Sequence, residues 1–350
     1  MTRAVLPAIG FLATLAFACV PEFNDDLSLV RAPRVVAIRT TPAEAKETKP
    51  LTFDAVVVAP LNASSSPPEF RLCLDRKPLT ELGSVSPRCL HTKETDPEIV
   101  KPLGSSESVM TTMPADACRL FGPRRPDPKP GEPSGRPVDP DPTGGFYQPV
   151  LAWLDPEHKL LGAARIDCGL SGAAQAQQRE FTSRYRPNEN PELSAFELER
   201  EDGSRESLLE GESRVLARSE HVKLWATWPS CPRSSVCGDN VCSALEDATN
   251  CTDDCRTPRG CTGAETYAFY DRENASVIDR RESIVLAWYT TDGRFSSERS
   301  GRTEDEPDGV DTSVDFYAPT TPGPLRLWAV ISDNRGGVGY RSVDLDVAAP

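Results

Sequence analysis

Histidine is scarce in this chain of 350 residues. The only three, His91, His158 and His221, are too scattered to indicate a histidine-based metal site. Basic residues are also outnumbered, because 39 lysines and arginines stand against 53 aspartates and glutamates, which gives a formal net charge of −14. Binding to phosphate groups requires a basic surface. The charge balance therefore excludes nucleic acid as a partner.

The sequence also lacks the short motifs that mark common catalytic sites. It contains no Gly-x-Ser-x-Gly elbow, no His-Glu-x-x-His helix, no phosphate-binding loop and no dinucleotide fingerprint. Beyond residue 18, no stretch is long and apolar enough to span a bilayer. These gaps predict a protein that is not an enzyme and that carries no organic cofactor.

The first eighteen residues have the layout of an export signal peptide. Arg3 precedes an apolar stretch, Ala4 to Ala18, that is shorter than the ~20 residues of a spanning helix. Because this stretch ends in Ala18-Cys19, it resembles a bacterial lipoprotein signal. The resemblance implies that Cys19 is lipidated and becomes the mature N-terminus, and that the lipid holds the protein on the membrane. Plain secretion without a lipid is the alternative. Val20 is not an aspartate, which implies the outer membrane, at its periplasmic or surface face.

Residues 19–33 are predicted to be a tether, and residues 34–186 a β-rich domain. The β-branched and apolar patterns predict strands at Arg34–Arg39, Leu51–Val58, Phe70–Leu74, Tyr147–Leu154 and Leu160–Asp167. Residues 121–145 are rich in proline and glycine, so they are predicted to be an exposed or disordered loop. Good helix formers over residues 171–186 predict one helix, with Ser171 as its cap and Pro187 as its stop.

Residues 187–350 are predicted to form a second domain, with Pro187–Pro191 as an interdomain hinge. Alternating apolar residues predict strands at His221–Trp228, Ser283–Tyr289, Leu325–Ile331 and Val338–Val347. The turn sequence Asp333–Gly337 joins the last two into a hairpin.

Tryptophans and a turn in the second domain carry a family resemblance. They are Trp225, Trp228 and Trp288, Tyr317-Ala-Pro, and Trp328 with the Asn334-Arg-Gly-Gly turn. Residues 187–350 resemble bacterial immunoglobulin-like domains, and residues 34–185 resemble a second such domain more loosely. The expected fold class is mainly β. It consists of two immunoglobulin-like β-sandwiches, a small disulfide-rich insert in the second, and one short helix between the domains.

Ten cysteines remain after Cys19, and an even count in an exported chain predicts disulfides. They are Cys73, Cys89, Cys118, Cys168, Cys231, Cys237, Cys242, Cys251, Cys255 and Cys261. We expect five bonds, with the first four cysteines pairing among themselves and the last six pairing locally. Nesting of the last six suggests Cys231–Cys261 as the outermost bond.

The insert at residues 231–261 contains Cys237-Gly-Asp-Asn-Val-Cys242 and Cys251-Thr-Asp-Asp-Cys255. It resembles a small disulfide module of secreted proteins from high-GC bacteria. One hypothesis is a purely covalent staple that replaces a hydrophobic core. A second hypothesis is a staple assisted by calcium, with hard oxygen ligands from Asp239, Glu246, Asp253 and Asp254. Zinc on thiolates is disfavoured, because an oxidising compartment favours disulfides.

Three further features have a structural and a functional interpretation. The acidic run at residues 301–311 is interpreted as a solvated loop rather than a cation site. His221 is expected to point outward from its strand. Tryptophans at alternating strand positions usually pack in the core, but Trp225 and Trp328 fall on the opposite face and are the candidates for an aromatic binding surface.

The leading functional hypothesis is a non-catalytic cell-envelope lipoprotein that binds or scaffolds a protein or glycan partner. One rival is a secreted hydrolase or protease inhibitor whose site is assembled from distant residues, with the loop at residues 121–145 as an inhibitor's bait. Another rival is a structural spacer. The fold alone does not choose among them.

Overall fold

The chain is mainly β, as its sequence predicts, and it forms two β-sandwiches. The computed structural model describes residues 27–76, 85–123, 141–156, 158–231, 251, 261–306 and 309–349. The predicted site residues outside these ranges are Cys19, Cys237, Cys242 and Cys255 and the four candidate calcium ligands Asp239, Glu246, Asp253 and Asp254. Most of the proline-rich loop at residues 121–145 also lies outside them.

The first sandwich has eight strands in its described part. They are β1 (Arg34–Thr41), β2 (Glu44–Ala45), β3 (Pro50–Val58), β4 (Glu69–Cys73), β5 (Val100–Ser105), β6 (Ser108–Thr112), β7 (Gly145–Trp153) and β8 (Lys159–Asp167). One sheet has the order β1-β3-β6, and the other has the order β2-β8-β7-β4-β5. Neighbouring strands are antiparallel except β2 and β8, which are parallel.

The second half of the chain adds twelve strands in its described part. They are β9 (Ala195–Glu199), β10 (Arg205–Ser207), β11 (Ser213–Leu216), β12 (His221–Thr227), β13 (Thr266–Asp271), β14 (Ser276–Arg281), β15 (Ile284–Thr290), β16 (Arg294–Phe295), β17 (Arg299–Arg302), β18 (Asp311–Tyr317), β19 (Gly323–Asp333) and β20 (Val338–Val347). The sheets are β10-β9-β12-β18-β16 and β11-β20-β19-β15-β17, and β13 pairs with β14 as a separate hairpin.

The two sandwiches share one topology. In each domain, the strands that correspond to the first, second and fifth strands of an immunoglobulin-like fold lie in one sheet. This sheet is β1-β3-β6 in the first domain and β10-β9-β12-β18-β16 in the second. The opposite sheet places a short strand parallel to the last strand, through the pairs β2–β8 and β11–β20. This division of strands makes both domains immunoglobulin-like. The topology is as clear in the first domain, whose sequence resembles such domains only loosely, as in the second.

Alternation along the strands explains how the second sandwich builds its core. In β12, Val222, Leu224 and Ala226 are buried, while the residues between them are partly exposed. Trp228 and Trp288 are fully buried in the same core, which is the common position for such residues. Burying each large apolar side chain contributes roughly 1.5–3 kcal/mol, so this two-layer core is the main source of the domain's stability.

One helix connects the domains in the sequence and packs on the second one. Helix α2 (Gln175–Arg184) starts later than predicted, because Ala174 rather than Ser171 precedes its first turn; α1 (Ala117–Leu120) is a single short turn. Phe181 of α2 is buried against Tyr270 and Val277 of the β13–β14 hairpin. The hairpin therefore gains a hydrophobic partner that a two-stranded ribbon needs for stability.

The described end of the predicted tether, residues 27–30, is not free but lies against both domains. Leu29 forms a parallel bridge with Thr290, and the Val30 amide donates to the Thr290 carbonyl at 2.8 Å. Val30 is buried against Val58 of the first domain and Trp328 of the second. This part of the segment is therefore a structural element of the folded body.

Three disulfides join described cysteines. Cys73 is bonded to Cys89, Cys118 to Cys168 and Cys231 to Cys261. The first four cysteines thus pair among themselves, and the Cys231–Cys261 bond closes the insert, both as expected. Cys251 is also disulfide-bonded. These bonds indicate an exported protein, because reducing compartments keep thiols free. Among the described residues, none of the helices has the length and apolar character needed to traverse a bilayer.

Candidate functional site

The connector between the two sandwiches is buried and held from both sides. The side-chain NH₂ of Asn190 donates to the Thr40 carbonyl at 2.8 Å, and the side-chain oxygen of Asn190 accepts from the backbone N–H of Val338 at 2.9 Å. A single side chain therefore bridges β1 of the first domain and β20 of the second. The sequence predicted a hinge at Pro187–Pro191, but Asn188 is only 1% exposed. Two buried asparagines thus hold this segment against both domains, whereas a hinge sequence would be expected to lie exposed between them.

A buried ion pair anchors the connector to the first domain. Arg165 Nε donates to Glu44 Oε2 at 3.0 Å, and neither side chain is more than 1% exposed. Glu44 also accepts from the backbone N–H of Asn188 at 2.9 Å and from the Tyr185 hydroxyl. Burial, followed by the charge of Glu44, raises the pKa of Tyr185 well above its usual range. Tyr185 therefore stays protonated and remains a donor.

A second buried group of charges lies on the other side of the connector. Arg335 donates through Nη2 to Glu265 and through Nε to Glu282, each at 2.6 Å. None of these three side chains is more than 2% exposed. Arg335 also donates to the Arg186 carbonyl at 3.3 Å. Two carboxylates thus share one guanidinium, and the guanidinium touches the connector.

The buried cluster of Arg335, Glu265 and Glu282 contains two carboxyl groups and one guanidinium. Burial raises the pKa of Glu265 to about 7, although Arg335 opposes the shift. Burial likewise raises the pKa of Glu282 well above its usual range. One guanidinium neutralises one carboxylate, so a single bound proton makes the group neutral. The two carboxyls are therefore expected to titrate as a pair that holds one proton near neutral pH.

A cleft of about 580 Å³ opens above Arg335, between the two domains. Asp141 and Tyr147 reach it from the first domain. The second domain supplies the β13–β14 hairpin, the loop after β17 and the turn after β19. The side chains that define its chemistry are Tyr147, Tyr267, Phe269, Arg280, Glu304 and Asn334. Clefts at domain interfaces with aromatic walls and a few polar groups are common ligand sites.

The buried network fixes the walls of the cleft. The Tyr147 hydroxyl accepts from Arg165 Nη1 at 3.2 Å and donates to the Arg335 carbonyl at 3.4 Å, so it links the two buried arginines. The Arg335 guanidinium lies 4.9 Å from the centre of the Tyr267 ring. Gly145 is required behind this wall, because a Cβ there would lie 2.1 Å from the Arg165 guanidinium. The cleft is thus preorganised by residues from both domains.

The predicted aromatic surface does not exist as a single surface. Trp328 is 5% exposed and packs under the N-terminal segment, so its proposed binding role is wrong. Trp225 is partly buried on the other sheet, where Arg205 covers its ring at 4.2 Å and Glu199 accepts from its Nε1 at 3.0 Å. His221 points outward, as expected, and contacts Asp315 at 3.1 Å.

The acidic run also differs from a cation site. Arg302 binds Glu306 and Asp311, and Glu304 binds Arg280 at 2.7 Å. Several of its carboxylates therefore already have guanidinium partners. No group of three or more metal-ligating side chains occurs within the part of the chain that the structure describes.

No family model matches the chain, and no curated protein matches it. Solved structures that align with it include the Yersinia pseudotuberculosis adhesin InvE, at 7% identity and a TM-score of 0.21. That alignment covers 89% of this chain and 58% of the adhesin chain.

Two further solved structures have similar values. The C-terminal domain of the Streptococcus pyogenes antigen I/II-family protein AspA has 10% identity and a TM-score of 0.22, with 91% of this chain and 100% of that chain covered. The chicken CNTN1 FN1-FN3 domains have 10% identity and a TM-score of 0.20, with 91% and 66% covered. At such TM-scores the likeness carries no functional argument, and the fold assignment rests on the strand topology.

Proposed function

We propose that the chain is a non-catalytic cell-envelope lipoprotein that holds a partner in the cleft between its two sandwiches. The observation that carries this proposal is that both domains build the cleft over one buried ionic network. The charged groups beneath it, Glu44, Arg165, Glu265, Glu282 and Arg335, are each bound by several groups of the protein itself. Charged groups whose hydrogen bonds are already made within the protein suit the support of a binding surface better than the role of a catalytic acid or base.

A cleft-filling variant tests the binding role. Thr303 is exposed and lines the cleft, so Thr303→Trp is expected to block access without disturbing the core. Envelopes that carry the tagged protein are crosslinked, and the recovered partner is quantified. We expect at least a tenfold loss of one stoichiometric partner.

Ser207→Trp provides the matched control, because Ser207 is exposed on β10, an edge strand of a sheet whose strands supply none of the described residues that line the cleft. This control is expected to recover the partner at the wild-type level. Equal recovery by Thr303→Trp, or no stoichiometric partner with the wild-type protein, contradicts the proposal.

The membrane attachment rests on Cys19, which directly follows the apolar stretch ending at Ala18. We expect metabolic labelling with a fatty-acid analogue to mark the wild-type protein and to leave Cys19→Ala unlabelled. The label, if located by fractionation, is expected with the outer membrane, because Val20 is not an aspartate. A Cys19→Ala protein that takes up the label at the wild-type level overturns this part of the proposal.

A further inference from the structure

The cleft at the domain junction has walls that suit a cation. Tyr147 lines it and is 36% exposed. Burial raises the pKa of both Tyr147 and Tyr267, which keeps the phenols neutral. The faces of neutral aromatic rings attract ammonium and guanidinium groups.

Arginines of the protein already use this chemistry inside the cleft. The Arg280 guanidinium lies 4.4 Å from the centre of the Phe269 ring, and Arg335 lies over Tyr267. Both arginines have carboxylate partners, Glu304 for the first and Glu265 with Glu282 for the second. Neither guanidinium is therefore left to balance further negative charge in the cleft.

Two further carboxylates, those of Asp141 and Asp305, line the cleft. Asp141 reaches it from the first domain, and Asp305 reaches it from the exposed loop after β17. The Asp141 carboxylate accepts from the backbone amide and the hydroxyl of Thr143 in its own turn. Among the described residues, no basic side chain forms an ion pair with Asp141 or Asp305. Carboxylates in a concave site focus a negative potential, which repels anions and attracts cations.

We propose that the cleft receives a basic side chain, a lysine or an arginine, presented by the partner protein. This inference rests on the proposed binding function and names the group that the site recognises. The ammonium or guanidinium lies between Asp141 and Asp305, and the aliphatic stem packs on the Tyr147 ring. The acidic opening gives the site its specificity, because an uncharged or acidic side chain gains nothing from the two carboxylates.

The test uses the full exported chain, with tetralysine as the probe and fully Nε-acetylated tetralysine as its uncharged counterpart. Acetylation keeps the stem and removes the charge. Calorimetric titration at low salt is expected to give at least tenfold weaker binding for the acetylated peptide. Raising the salt concentration is expected to weaken tetralysine binding, since the Debye length shortens.

Charge reversal inside and outside the cleft separates specific binding from general attraction to an acidic protein. Asp305→Lys is expected to weaken tetralysine binding at least tenfold, and Asp305→Asn to an intermediate extent. Glu210→Lys makes the same charge change at an exposed position between β10 and β11 and is expected to stay within twofold of wild type. Unfolding midpoints equal to that of wild type show that these variants are folded.

Three results overturn the inference. The first is that the acetylated peptide binds as tightly as tetralysine. The second is that Asp305→Lys and Glu210→Lys weaken tetralysine binding equally. The third is that tetralysine does not bind, whereas neutral cellohexaose binds and Thr303→Trp abolishes that binding. If the crosslinked partner still depends on Thr303 in any of these cases, the binding function stands and only the recognised group is wrong.

Discussion

Arg335→Met is expected to destabilise the protein by about 3–5 kcal/mol, because it leaves Glu265 and Glu282 buried without their cation. The carboxylate that Arg335 neutralised then also has to take up a proton or lose its burial. The loss is therefore expected to be larger at pH 8 than at pH 5. Urea unfolding of the disulfide-intact protein, followed by tryptophan fluorescence, measures the change in the free energy of unfolding.

Arg326→Met is the matched control for this variant. Arg326 belongs to β19, close to Arg335 in sequence, and pairs with Asp344, but both partners are about 40% exposed. Water solvates both charges there, so the loss is expected to be within about 1 kcal/mol. Equal destabilisation by the two substitutions contradicts the importance assigned to the buried group.

Stability is expected to fall as the pH rises from about 5 to 8. Glu265 has a pKa of about 7 in the folded protein, against the usual 4.5. Between these values the folded state holds a proton that the unfolded chain releases, so the stabilisation is complete below about 4.5 and is lost as the pH rises through 7. At about 1.4 kcal/mol for each pKa unit, the change amounts to roughly 3 kcal/mol. Urea midpoints at pH 5, 6, 7 and 8 measure it.

Glu265→Gln separates this group from the other acidic residues. The variant removes the carboxyl whose pKa is about 7, and it also removes the negative charge of Glu265 that helps to raise the pKa of Glu282. The variant is therefore expected to show a much flatter dependence of the free energy of unfolding on pH between 5 and 8. A slope equal to that of wild type would assign the pH dependence to other groups.

Much of the fold was predictable from local patterns. The alternation of Val222, Leu224 and Ala226 in β12 fixes a strand and its buried face, because side chains in a strand alternate with a period of two. The short edge strands β2, β10 and β16 have two or three residues and carry no such period, so they were missed. The β13–β14 hairpin was also missed as a unit, since its apolar partner Phe181 lies far away in the sequence.

The site was not predictable in the same way. Arg335 was recognised only as part of a turn, although it is the centre of the buried charges. Its partners Glu265 and Glu282 are 70 and 53 residues away, and Glu44 is 121 residues from Arg165. A charged residue carries no local sign of burial, because its neighbours in sequence do not reveal which distant residue neutralises it. The local sequence of this arginine, an Asp-Asn-Arg-Gly-Gly turn, instead indicates an exposed residue, because turns usually carry exposed polar residues.

The docking of residues 27–30 sets the order in which the folded body is completed. Leu29 is synthesised early, whereas its partner Thr290 in β15 follows only after most of the chain. Val30 and the adjoining surface of Val58 therefore stay open to water until the second sandwich has emerged and β15 and β19 have formed. The first residues of the folded body are thus among the last to be buried, and a chain that stops before β15 keeps its leading end accessible to proteases.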